Sequence, residues 1–172
     1  MKARDYLHGP FTRIGLIAAA SVCLLDQLSK VYLLFIYNLA ARGVVRVLPF
    51  VDFVLTRNKG ISYGLLQQNG PLGQWVLLAF KVLAVAVLWL WLSRAASRLT
   101  ALSLGLVIGG AVGNAIDRLA YGWVADFVLF HVSTANWRFN WYVFNLADVA
   151  IVAGVVGLLY ESLFGGHAAK AP

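Results

Sequence analysis

The sequence predicts an all-α membrane protein: four transmembrane helices, with strands and a short interfacial helix in two long outer connections. Three observations carry this. The chain is 61% hydrophobic and only 12% charged, about half the charged fraction of a soluble domain. Apolar runs long enough to cross a bilayer core, roughly 20 residues of helix, recur four times. Acidic side chains sit inside or at the ends of three of those runs, as Asp26, Asp117 and Asp148. An ionisable residue at membrane depth is costly and points to function.

Residues 1–13 form a basic flank with Lys2, Arg4 and Arg13. The first span covers 14–37 and is interrupted by Asp26, Gln27 and Lys30. It is longer than the apolar core of a secretory signal peptide, so a retained helix is expected. The connection 38–70 follows. Val and Phe over 44–56 favour extended strands, with Pro49 at an edge or bulge. Asn58-Lys59-Gly60 turns the chain, and Ile61–Gln68 reads as a short helix lying at the interface.

The second span covers 72–92 and contains Lys81; the third covers 99–119. The connection 120–142 reads as a strand over 124–132, followed by an aromatic belt of Trp137, Phe139, Trp141 and Tyr142. The fourth span covers 143–164. The 172 residues suit a single integral membrane domain, 1–172.

Four spans return both termini to one side. Lys2, Arg4, Arg13, Arg94, Arg98 and Lys170 lie there in short flanks, which places that side in the cytoplasm and both long connections outside. The net charge of +7 then serves orientation and contact with anionic membrane lipids, and no nucleic-acid partner is expected. Cys23 is the single cysteine. It excludes an intramolecular disulfide and reads as a small apolar residue.

The third span carries the densest pattern. Ala101, Gly105, Gly109 and Gly113 recur every fourth residue and allow close helix approach. Asp117 is the next member of that row, and Asn114, three residues before it, shares its face. Arg118 can reach head groups or a carboxylate. Asn145 and Asp148 repeat the Asn-x-x-Asp spacing at the start of the fourth span. Antiparallel neighbours would bring Asp117 and Asp148 to similar depth near the outer surface. Two adjoining carboxylates tend to share one proton, so one can activate water while the other polarises a carbonyl.

Asp26 and Lys30, at i and i+4, read either as a self-neutralising ion pair or as support for that site. Asn58 and Gly60 offer a side-chain amide and close backbone approach to a substrate. Asp126 caps or orients a strand, and His131 is structural or solvated. No His pair has metal-ligand spacing, no Gly-x-Ser-x-Gly element occurs, and Ser29 and Lys30 lie on different helix faces. Neither metal nor cofactor is expected.

Five blocks, in order, resemble the lipoprotein signal peptidase (signal peptidase II) family of bacterial aspartyl membrane proteases. They are Asp26-Gln27-Leu28-Ser29-Lys30, Asn58 to Gly64, Gly109 to Arg118, Val124-Ala125-Asp126-Phe127 and Phe144-Asn145-Leu146-Ala147-Asp148. Ile61 and Tyr63 depart from the family's usual small residue and Phe. The resemblance implies Asp117 and Asp148 as the catalytic dyad. Asn58, Gly60, Asn114, Arg118, Asn145, Asp26, Lys30 and Asp126 would line or support it.

It implies a monomeric, multi-pass enzyme of the bacterial cytoplasmic (inner) membrane, with its site near the extracytoplasmic face. A small β-cradle and a flap from the outer connections would cover that site. The substrate would be a diacylglyceryl-modified prolipoprotein, cut before the lipidated lipobox cysteine. Two other classes are distinguishable. A small ion or proton transporter relaying through Asp26, Asp117 and Asp148 would spread polar residues across the bilayer. An assembly subunit would pair its acids with a partner's basic residues.

Overall fold

The computed structural model describes residues 8–60, 71–134 and 136–165, without the side chains of 71–78, 81 and 138. Helix α1, Thr12–Val31, begins where the Gly9 amide donates to Thr12 Oγ1 at 2.8 Å. It continues into a wider π-helical turn, Tyr32–Ile36, and Asn38, left-handed at φ 52°, ends the run. A short helix α2, Leu39–Arg42, leads to strands β1, Val45–Leu48, and β2, Val51–Asn58. Pro49 lies in the turn between these strands, where its missing N–H breaks no ladder bond.

Helix α3 is Pro71–Leu92. Helix α4, Arg98–Tyr121, starts on Ser97, whose hydroxyl accepts from the Thr100 amide at 3.0 Å. It stops at Gly122, whose φ of 75° suits glycine and few other residues. Strands β3, Val124–Ser133, and β4, Arg138–Phe144, precede helix α5, Leu146–Phe164. The interfacial helix expected over 61–68 lies outside the described residues.

The expected small β-element is present: strands β1 to β4 form one antiparallel sheet in the order β1-β2-β3-β4 beside the apolar helices. One expectation changes. The fourth span begins at Leu146 instead of 143, because Arg138–Phe144 is a strand. Aromatic residues suit a membrane interface and a pleated strand equally well. Asn145 then starts α5 with a capping box, exchanging bonds with Asp148.

Among the described residues, Thr12–Ile36, Arg98–Tyr121 and Leu146–Phe164 are long and apolar enough to cross a membrane. Helix α4 is central and packs on α1, α3 and α5. Its face toward α1 carries the small-residue row: a Cβ on Gly109 would lie 2.5 Å from the Ala19 carbonyl oxygen. Its face toward α5 is equally close, since a Cβ on Gly110 would lie 2.5 Å from the Ala147 carbonyl. Ile17, Leu24 and Leu28 on α1, and Val152, Val156 and Leu159 on α5, are exposed. Such continuous apolar exposure fits contact with lipid.

Sheet register then sets the site. Thr56 pairs with Asp126, Asn58 with Val124, and Val128 with Phe144. The inner side of the sheet packs Phe127, Leu33 and Leu39, with Phe53 edge-on to Phe127 at 6.1 Å.

Candidate active site

The polar residues gather where α1, the end of α4, the start of α5 and strand β3 converge. Lys30 is the hub on the α1 side. Its Nζ lies 2.7 Å from Asp26 Oδ2 and 2.9 Å from Asp117 Oδ2, and donates to Asn114 Oδ1 at 3.1 Å. An ammonium has three donors and no acceptor, so these partners saturate it. Its side chain is only 2% exposed. A buried charge with no partner would cost several kcal/mol, which explains two carboxylates on one cation.

Both oxygens of Asp117 have partners. Its Oδ1 accepts from Gln27 Nε2 at 2.9 Å, and its Oδ2 accepts from the Ala125 amide at 3.0 Å besides facing Lys30. It has no exposed surface. Asp26 Oδ1 accepts from the Ala147 amide at 3.1 Å, fastening the start of α5 to α1.

Asn145 is the hub on the opposite side. Its Nδ2 donates to Asp126 Oδ1 at 2.7 Å and to Asn114 Oδ1 at 3.1 Å, while its backbone amide donates to Asp148 Oδ2 at 3.2 Å. Asp148 Oδ1 accepts from Asn114 Nδ2 at 3.0 Å. The other Asp126 oxygen accepts from Asn58 Nδ2 at 2.9 Å, and Asn58 Oδ1 in turn accepts from the Gly60 amide at 3.0 Å. Arg118 Nη2 donates to the Gly60 carbonyl from a buried position. Three asparagines therefore hold two aspartates, and each amide is fixed by donors or acceptors on both its ends.

Asp126, on strand β3, is electrostatically perturbed. Burial pushes its carboxyl up to about 6, and the neighbouring Asp148 adds to the rise, against the Asn58 and Asn145 amides. A carboxyl in that range can carry a proton close to neutral pH. Beside Asp148 runs a cleft of about 410 Å³, lined by Trp141, Tyr142, Phe144, Val149, Val152 and Ala153. It follows the exposed side of α5, so it adjoins the acidic residues from the apolar surface.

The expected pairing of Asp117 with Asp148 is not the one these contacts make. Asp117 belongs to the row Ala101-Gly105-Gly109-Gly113 and faces α1 with it, so it meets Lys30. Asn114, three residues earlier, follows Gly110 and reaches α5 as well as Lys30. The residue joined to Asp148 through Asn145 is Asp126. In sequence Asp126 reads as a residue that orients a strand and supports the site; in the structure it lies in β3, opposite Thr56. Asn58, Gly60, Asn114, Arg118, Asn145, Asp26 and Lys30 all enter the network. Gln27, which also donates to the Gly113 carbonyl at 3.0 Å, was missed. Its signal was its place between Asp26 and Lys30 in an apolar run. His131 lies apart from the network, its Nε2 3.1 Å from Asp52. Among the described residues, no three His, Cys, Asp or Glu side chains gather as a metal site.

A bundle of apolar helices, capped by a small sheet and closing on a cluster of buried carboxylates, defines a membrane protein with a polar reaction-type site at one end. A sequence model of the family described as Signal peptidase (SPase) II matches residues 18–164. The chain belongs to that family. The lipoprotein signal peptidase of Nitrobacter hamburgensis is 56% identical over 160 residues, covering 93% of this chain and 98% of the relative. That of Rhodopseudomonas palustris strain TIE-1 is 55% identical over the same shares. Two bacterial membrane enzymes solved by the in meso method share the fold, with TM-scores of 0.74 and 0.70. Each is 22% identical and covers 92% of this chain, which in turn spans 92% and 97% of theirs.

Proposed function

We propose that this protein removes signal peptides from prolipoproteins by aspartyl-dyad hydrolysis, with Asp126 and Asp148 as the acid/base pair. The observation that carries the reading is the Asn145 bridge: one residue donates to both carboxylates, at 2.7 Å and 3.2 Å. Asp148 accepts two N–H bonds at the N-terminus of α5, one on each carboxylate oxygen, which hold it in place. It serves as the base that takes a proton from water. Asp126, with its raised carboxyl, serves as the acid that polarises the scissile carbonyl and then passes its proton on. Asp126 rather than Asp117 is paired with Asp148 in this reading, because Asp117 is ion-paired with Lys30 at 2.9 Å while Asn145 joins Asp126 to Asp148. Asp117 instead balances Lys30 and supports the site.

The finer features of this proposal come from the resemblance carried by the five sequence blocks. The substrate carries a diacylglyceryl group on the lipobox cysteine, and the cut falls before that cysteine. A lipid-bearing peptide enters laterally, and the cleft along α5 gives it a path with Asp148 in the wall. Extended peptide at membrane depth needs protein or water around it, and the sheet supplies that cover. Helix α3 makes the fourth span, both termini lie in the cytoplasm, and the site lies near the extracytoplasmic face of the inner membrane. The protein acts as a monomer.

The test is cleavage by the purified protein, in lipid vesicles, of a diacylglyceryl-modified precursor and of its unmodified form. Selective cleavage of the first is expected. Equal cleavage of both, or none of either, contradicts the reading.

A further inference from the structure

Asn114 stands between Lys30 and Asp148, and its amide has two possible orientations. In one, Oδ1 faces Lys30 and Nδ2 faces Asp148; in the other they exchange. Lys30 Nζ has donors only, so it can meet Oδ1 but not Nδ2. Asn145 Nδ2 also needs Oδ1, at 3.1 Å. Two donors on one oxygen therefore commit Nδ2 to Asp148, 3.0 Å away. The ammonium, which can only donate, decides the orientation of the amide.

We propose that Lys30 is a positioning residue for Asp148: by occupying Asn114 Oδ1 it fixes the amide that donates to that carboxylate. This rests on Asp148 being the base. The pair Asp26 and Asp117 then has a second purpose beyond neutralising Lys30. With Nζ held at 2.7 Å and 2.9 Å by two carboxylates, its third N–H is aimed at Asn114. The water-activating carboxylate is thus oriented from α1 through a single side chain of α4. Losing Lys30 leaves Asn114 Oδ1 held by Asn145 alone. The amide that aims Asp148 is then less firmly fixed.

The test is a double-mutant cycle between Lys30→Met and Asn114→Leu, read as kcat, KM and melting temperature. Lys30→Met alone strands two buried carboxylates, so the cycle is run in an Asp26→Asn background. There Lys30→Met is expected to lower kcat by about tenfold or more, the worth of one charged hydrogen bond, with KM little changed. Once Asn114 is Leu, Lys30→Met is expected to change kcat no further. Lys30→Arg, which keeps a buried cation and its donors, is expected to retain most of kcat and guards against a folding failure. Additive effects on kcat would overturn the proposal, as would full kcat in the folded Lys30→Met variant or an Arg variant as slow as Met. Asp148→Asn is assayed alongside. Full activity there would instead remove the dyad, a failure distinct from additivity in the cycle.

Discussion

The side-chain amide of Asn145 donates to Asp126 Oδ1 at 2.7 Å, and the same residue caps helix α5. One asparagine therefore joins a strand, a helix start and two carboxylates. The two jobs separate by substitution. Asn145→Ser keeps a capping hydroxyl but removes both Nδ2 donors. The stranded Asp126 oxygen is expected to cost about 1–3 kcal/mol, and cleavage is expected to fall by more than the loss of folded protein. A melting curve and a rate measured on the same preparation check this. A variant that is destabilised but fully active per folded molecule would remove Asn145 from the site's function.

Asp126 predicts how the protein responds to pH. Its carboxyl stands at about 6 against an ordinary value of 3.8. Between those values the folded state holds a proton that the unfolded chain releases. Stability from this group is therefore full at low pH and is lost as pH rises through about 6. Lowering the pH from 7 to 5 is expected to raise wild-type stability by about 1 kcal/mol relative to Asp126→Asn, which lacks the group. Thermal melts of both proteins at the two pH values measure the difference. Cleavage follows the same sign, with kcat/KM falling on the alkaline side as Asp126 loses its proton.

The glycine row of α4 holds α1 at the distance the Lys30 network needs. A Cβ on Gly109 would lie 2.5 Å from the backbone oxygen of Ala19, which cannot swing aside. Gly109→Ala is expected to destabilise the protein by about 1–3 kcal/mol, the usual cost of overpacking. It is also expected to reduce activity through the displaced Lys30. Chemical or thermal unfolding in detergent, together with the cleavage rate, tests both parts.

That row was legible in the sequence, and its fourth-residue spacing placed Asp117 on the glycine face. The neighbour across that face was not legible. Knowing that it is α1 turns Asp117 from a partner of Asp148 into a partner of Lys30. Asn114 and Asp117, three apart, read as one face, yet they straddle the boundary between α1 and α5. Asp126 was harder still, because its approach to the start of α5 depends on strand register and on β4, which aromatic composition disguised as an interfacial belt. The helices and the first β-hairpin follow from local pattern. The pairing of the acids follows from contacts between residues far apart in the chain.

The cleft beside Asp148 gives a prediction independent of the acids. Val152 lines it and is 55% exposed, so a larger side chain there meets lipid or substrate rather than the core. Val152→Trp is expected to leave the melting temperature unchanged and to raise KM for a vesicle-borne precursor several-fold, with kcat little affected. An unchanged KM would place substrate entry elsewhere on the bundle.

The central claim is that the chemistry belongs to Asp126 with Asp148, while Asp117 holds Lys30. The most direct measurement is the cleavage rate of a lipid-modified precursor by Asp126→Asn and Asp117→Asn, each purified and shown to be folded. Asp126→Asn is expected to be inactive with a near-native melt, and Asp117→Asn to be less stable yet still to cleave. A folded Asp126→Asn that cleaves at the wild-type rate, beside an inactive folded Asp117→Asn, would contradict the account.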